Sequence, residues 1–225
     1  MAIPFQNTFG LLRAAALSSC VLALAACSAL PKPPIQFTRY DLGLTDTTVP
    51  VANAAAPRVA PPPLVLAEVQ TPAGADNSTA MQYRLNYADN QELRAYQSAR
   101  WSQPPAQMLE QRLRTRLALE RPVLAEKDNL SPNPNDNRPL GLLRLEIVEF
   151  SQVFDSASSS QAVVRVRASL IAQDRRGGNV LLGQKLLTEQ TPAATTDAAG
   201  GARAMATSVN RLAIDLSNWL QSYGR

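Results

Sequence analysis

The sequence contains no histidine and only two cysteines, Cys20 and Cys27, both near the amino terminus. Absence of histidine removes the commonest general base near neutral pH and the commonest metal ligand. With both thiols at one end, the rest of the chain has neither a disulfide pair nor a thiol nucleophile. An excess of one charge is also missing: 22 Lys and Arg face 18 Asp and Glu, spread without a basic run. Such a distribution reads as solvated surface with weak attraction to anionic headgroups, and it excludes a nucleic-acid-binding face. Gly177-Gly178 lacks the spacing and the following Lys-Ser/Thr of a phosphate loop. Ser158, Ser159 and Ser160 have no histidine to activate them, and Glu146 and Glu149 fall on opposite faces of a strand. The expectation is a protein without catalysis, cofactor or metal. Finally, the apolar run at residues 14–26, broken by Ser18 and Ser19, is too short to span a bilayer, which takes about 20 residues.

That run is nevertheless the most informative stretch. Arg13 and the free amino group precede it, and small residues close it, which is the pattern of a secretory signal peptide. It ends in Leu24-Ala25-Ala26-Cys27, which resembles the lipobox of bacterial lipoproteins. An ordinary secretory signal with a chance cysteine is the plainer alternative. The lipobox resemblance implies cleavage before Cys27, lipid attachment to its thiol and acylation (palmitate) of the new amino terminus. Ser28, standing where an aspartate would retain the protein, implies sorting to the outer membrane. The chain then divides into a signal peptide at 1–26, a lipidated tether at 27–35 stiffened by Pro31, Pro33 and Pro34, and a body at 36–225.

Within the body, periodicity predicts an α+β domain: one antiparallel-rich mixed sheet with two amphipathic helices packed on one face. Strands are expected at 36–42, 64–70, 81–87, 93–101, 123–125, 140–154, 161–173 and 180–188. Residues 43–63, rich in Ala, Pro, Val and Thr, read as a long loop or a second tether. Residues 71–79, 126–139, 155–160 and 175–179 read as turns and loops. In the 140–154 strand, Leu143, Leu145 and Ile147 keep one phase, and Val148, Phe150 and Phe154 the other. Such a switch means a bulge or a segment covered on both sides. The first helix is expected from Pro104 to Glu120, with Ala106, Leu109, Leu113 and Leu117 inward and Arg112, Arg114 and Arg116 on wetter sides. The second, from Asp197 to Tyr223, has apolar residues at 3-4 spacing throughout and ends at Gly224.

The segments 81–87 and 93–101 form the expected hairpin. Their alternation asks odd positions to face odd positions, Tyr87 with Leu93 and Leu85 with Ala95, through a loop of three or five residues. Tyr83, Leu85, Leu93, Ala95 and Trp101 should then be buried, and Arg84, Arg94, Tyr96 and Arg100 should share the open face. Aromatics and arginine are enriched at interface centres, which makes Arg84, Arg94, Tyr96, Arg100 and Trp101 the candidate partner interface. The bland reading is a solvated sheet face, with Trp101 in the core.

The order Tyr40-Asp41-Leu42-Gly43, then Met81-Gln82-Tyr83-Arg84-Leu85, then Tyr96 to Arg100-Trp101, then Pro104-Pro105 and a helix, resembles the ABC-type transport auxiliary lipoprotein family (paraquat-inducible protein C-like). That resemblance implies a lipid-anchored outer-membrane subunit facing the periplasm. It further implies service to phospholipid transport beside a mammalian-cell-entry-type protein and an ABC permease and ATPase. Self-association is left open. The competing class is a lipoprotein that activates a cell-wall synthase by contact.

Overall fold

The computed structural model describes residues 36–44, 61–71, 78–128, 140–173 and 178–223. The signal peptide, Cys27, the Pro-rich tether, most of the 43–63 and 126–139 loops, and Gly224 lie outside the described residues.

In chain order the body runs β1 (Thr38–Tyr40), β2 (Leu64–Leu66), β3 (Ala80–Leu85), β4 (Asp89–Trp101), α1 (Pro105–Ala118), β5 (Val123–Ala125), β6 (Leu140–Ser156), β7 (Ser159–Gln173), β8 (Asn179–Pro192) and α2 (Ala198–Gln221). The strands make one eight-stranded mixed sheet, curled into a half-barrel, with both helices packed on it. The expected α+β class is thus the observed one.

The sheet forks at β6. One edge of this 17-residue strand pairs with β7 along its length, and β7 pairs with β8, all antiparallel. Its other edge is divided. Gly141–Leu143 hold β2 in parallel, with β5 outside it. Gln152–Phe154 hold β3 in parallel, followed by β4 and then β1.

β7 keeps its alternation from Val164 to Ala168, and Val163 is buried as well. Ala162, Val164, Val166 and Ala168 are 0% exposed, and Arg165 and Arg167 face water. In β6 the phase switch has the two features its pattern offered. The register slips between Ile147 and Glu149, leaving Val148 exposed, and residues 150–154 are then all buried. The 155–160 loop is tighter than expected, with Ser156 already paired to Ser159.

The helices supply the other wall of the core. Leu109, Leu113 and Leu117 of α1 and Val209, Leu212 and Leu216 of α2 are all 0% exposed. Burying each such side chain contributes about 1.5–3 kcal/mol. Pro105 occupies the first turn of α1, where its missing N–H costs nothing. Asp197 caps α2 by accepting from the Gly200 N–H at 2.7 Å. Glycine is needed directly after this cap, because a Cβ on Gly201 would stand 2.0 Å from Oε1 of Gln152. The helix bears the propensity cost of glycine so that its first turn can touch β6.

On the opposite sheet face a smaller cluster forms. Val65 lies between Leu64 and Leu66 and points the other way, joining Ala67 and Leu142, with Leu124, Leu140 and Ile171 beside them.

Two expectations need correction here. The first is the hairpin register. Its loop has three residues, 86–88, as one of the expected lengths, but the partners are Leu85 with Asp89, Tyr83 with Arg94, Gln82 with Ala95, and Ala80 with Arg100. Irregularities between these pairs insert extra residues into β4. Each odd insertion reverses which side chains share a face. Tyr83 therefore sits with Arg94 and Tyr96, whereas Leu93 is 41% exposed and Ala95 is exposed. Only the base of the hairpin behaves as expected, with Met81 and Trp101 each 1% exposed. The second correction is Arg112. It belongs to the core side of α1, at 5% exposure, not to a wetter one.

Candidate partner-binding surface

The sequence-selected residues meet at the hairpin, where β3 and β4 leave the side of β6. Arg84 reaches from β3 to Glu149 on β6, with Nε–Oε1 at 3.3 Å and Nη2–Oε2 at 3.4 Å. Its Nη1 also donates to the carbonyls of Asn90 and Gln91, each at 3.3 Å. Arg84 thus ties the start of β4 to the central strand, and its charge is matched. Arg94 pairs with Glu92 on the same strand, and that carboxylate raises the guanidinium pKa further.

Tyr96 turns inward. Its hydroxyl donates to Oε1 of Gln152 at 2.8 Å, and Nε2 of Gln152 donates to Oγ of Ser160 at 2.8 Å. Its ring lies 4.7 Å from that of Tyr83, which in turn meets Phe154 edge-on at 5.8 Å. Burial pushes the Tyr96 hydroxyl pKa up, and the charges of Tyr83 and Asp197 add to this. A buried polar chain with each member bonded specifies packing and holds the hairpin against the α2 side of the sheet. Trp101 is core and packs edge-on against Phe150 at 5.6 Å.

Arg100 faces outward. Its Nη1 donates to the carbonyls of Tyr96 and Ala99, and its guanidinium carbon sits 4.5 Å from the centre of the Phe37 ring. Of the five candidates, then, Arg84, Arg94 and Arg100 lie on accessible positions, Tyr96 is half-buried, and Trp101 supports them from within. Beside them the hairpin exposes apolar surface that the alternation had assigned to the core, Leu93 at 41%, together with Tyr87 of the loop at 53%.

Sequence reasoning passed over three further features. Arg112 donates from Nη2 to the carbonyls of Leu42 and Gly43, and from Nη1 to Oδ1 of Asn210 at 3.0 Å. It joins α1, α2 and the chain leaving β1. Its signal was its place on the stripe, three residues after Leu109 and one before Leu113. At the far ends of the helices, Glu120 accepts from Ser217 and pairs with Arg116 at 2.7 Å. Burial alone would raise its pKa, but the Ser217 hydrogen bond and the Arg116 charge outweigh it and hold the carboxyl below its ordinary range.

The third feature is a cleft of about 720 Å³ between the stretch following β2 and α1, lined among others by Glu68, Gln70, Glu110, Glu126 and Arg144. A neighbouring one of about 680 Å³ shares Glu68, Glu110 and Glu126 and adds Arg114. Glu110 is already paired with Arg114 at 3.1 Å. Among the described residues no group of three or more His, Cys, Asp or Glu side chains is placed to hold a metal ion. No described helix is long and apolar enough to cross a membrane.

A family model described as an ABC-type transport auxiliary lipoprotein component matches residues 40–217. Among solved structures, a protein from Xanthomonas campestris is similar at a TM-score of 0.56 and 17% identity, over 84% of this chain and 88% of that one. A second, an uncharacterized protein, is similar at a TM-score of 0.55 and 12% identity, over 82% and 99% of the two chains. A minor lipoprotein from Acinetobacter baumannii aligns over 71% of this chain and 93% of its own at 14% identity, with a TM-score of 0.35 that bears no weight. Comparison with curated proteins yields no match.

Proposed function

The chain belongs to the family of ABC-type transport auxiliary lipoprotein components, and from that premise we propose that it is a non-enzymatic outer-membrane lipoprotein that docks a periplasmic conduit for phospholipid. Its anchor is acylated Cys27, and its body faces the periplasm. Its partners are a mammalian-cell-entry-type protein and the ABC permease and ATPase that act with it. The observation that carries this reading is the family match together with Leu24-Ala25-Ala26-Cys27 at the end of a signal-like run.

The contact surface assigned to the partner is the distal hairpin. Tyr87, Leu93 and Arg94 are exposed or partly exposed there, Arg84 braces the strand, and Tyr96 fixes it from the inner face. An aromatic and an aliphatic side chain beside an arginine fork suit a small interface centre. The testing experiment is affinity capture of the native, acylated protein, with mass spectrometry of Cys27. Recovery of the mammalian-cell-entry-type protein by the native chain, and its loss with Leu93→Asp, supports the proposal. Recovery of a cell-wall synthase in its place would transfer the chain to the contact-activator class. An unmodified Cys27 in the mature protein would remove the anchor.

A further inference from the structure

We propose that the outer edge of the sheet at β1, with Phe37, Arg39 and Arg100, seats against the phosphate-bearing headgroups of the bilayer that holds the tether; this rests on the lipid-anchor reading above. β1 pairs with β4 in parallel, and Arg39 is the direct partner of Arg100. Directly paired residues share a sheet face, so two cationic side chains rise from neighbouring positions on one face. Like charges so placed repel unless an anion joins them.

Five arginines of the body have a carboxylate partner within the chain: Arg84 has Glu149, Arg94 has Glu92, Arg114 has Glu110, Arg116 has Glu120 and Arg167 has Glu146. Among the described residues no carboxylate pairs with Arg39 or Arg100. Asp41, two residues on, directs Oδ1 to the Gly43 N–H at 2.7 Å. Arg100 is moreover held in place by the carbonyls of Tyr96 and Ala99 and by the Phe37 ring, so its outward groups are presented in a set orientation. Guanidinium forks match phosphate oxygens two at a time. Phe37, 46% exposed beside these cations, adds an apolar ring that can bury at the boundary of headgroups and acyl chains.

The occupant follows from where the chain goes. Residues 27–35 precede Gln36, and a Pro-rich segment of that length reaches roughly 28 Å at about 3.1 Å per residue. Phe37 and Arg39 therefore stand at the start of the described body, nearest along the chain to Cys27, and strand pairing sets Arg100 beside them. Cationic side chains, an interfacial aromatic and a short leash to the membrane select an anionic lipid surface over a soluble partner.

The test uses the full acylated chain carrying Gln36→Cys, which offers one free thiol because Cys27 is blocked and Cys20 is removed. A fluorophore on that thiol is read against lipids spin-labelled near the headgroup, in phosphatidylcholine vesicles with or without phosphatidylglycerol. Quenching is expected to be stronger with phosphatidylglycerol and to fall with added salt. Arg39→Glu combined with Arg100→Glu should remove that excess, since each lost arginine charge weakens attachment roughly fivefold and each new carboxylate is itself repelled by the anionic surface. Arg39→Glu alone touches only an exposed side chain, leaves the thermal melt unchanged and should lower the excess by a smaller step. Equal quenching in both vesicles, or an excess that the double variant leaves unchanged, overturns the proposal; so does quenching that tracks a co-purifying protein and not lipid charge. If the chain fails to float with vesicles and Cys27 carries no acyl group, the anchor reading fails by itself. Charge-dependent quenching is then read on a Gln36→Cys chain that also carries Cys20→Ser and Cys27→Ser, added from solution, and its presence or absence still decides the patch.

Discussion

Two parts of this sheet are built differently. β6, β7 and β8 are long, paired nearly end to end, and roofed by the 24-residue α2. β1 and β3 are short, with 3 and 6 residues, and the ladder between β3 and β4 is broken twice. In the first part β7 and α2 turn fully buried aliphatic side chains inward, and β8, at the edge, leaves Val180, Leu181, Leu182 and Leu186 exposed. In the second they are a tyrosine pair and a tryptophan, held by specific contacts that reach Gln152 and Phe150 on β6, with Leu93 and Tyr87 left at the surface. A regular ladder under a helix contributes stability in proportion to buried area. An irregular one contributes less and can aim side chains outward. On the proposed function, the long strands are the scaffold, and the hairpin with β1 is the presenting part.

The sharpest way to break this contrast is Leu216→Asp in α2. Leu216 is 0% exposed, and a buried unpaired carboxylate is costly. Even truncation of such a leucine costs about 2–5 kcal/mol. Loss of the cooperative far-UV transition is the expected outcome; a folded, cooperatively melting variant would mean that the helix is not part of the scaffold.

A smaller loss is expected from Gly201→Ala, whose new methyl meets Gln152. Overpacking of this kind costs about 1–3 kcal/mol, measured by urea titration. Arg112→Met should fall in the same range, because it strips the donors from the carbonyls of Leu42 and Gly43.

Smaller still is a pH effect at the helix ends. Glu120 has a folded pKa below the ordinary carboxylate value of about 4.3. Its contribution is therefore present above that value and lost as the pH falls through the folded pKa. Ser217→Ala removes one of the groups that lower it. The variant should lose less stability than the native chain between neutral and acid pH. The difference is a few tenths of a kcal/mol, because the site is partly solvated.

The smallest stability effect belongs to the presenting part. Leu93→Asp and Arg94→Glu should each change stability by about 0.5 kcal/mol or less and yet reduce partner capture. A large fall in melting temperature would make the hairpin scaffold after all.

What could be read from the residues alone was whatever depends on a single segment meeting water on one side. The inward faces of β7, α1 and α2 are of this kind. So is the phase switch of β6. Each is a period or a motif contained in neighbouring positions. The hairpin exposed the limit. Its alternation was visible, but extra residues in β4 reversed the pairing parity, and no single-strand pattern carries the partner's register. Arg112 was misplaced for a related reason: a charged residue on an apolar stripe reads as wet until the carbonyls of Leu42 and Gly43 are brought to it. The adjacency of Arg39 and Arg100, the fork at β6 and the seat of Tyr96 on Gln152 were decided only by tertiary structure. They join positions far apart in the chain, and which distant backbones become neighbours is set by the summed packing of the whole core, not by any local preference.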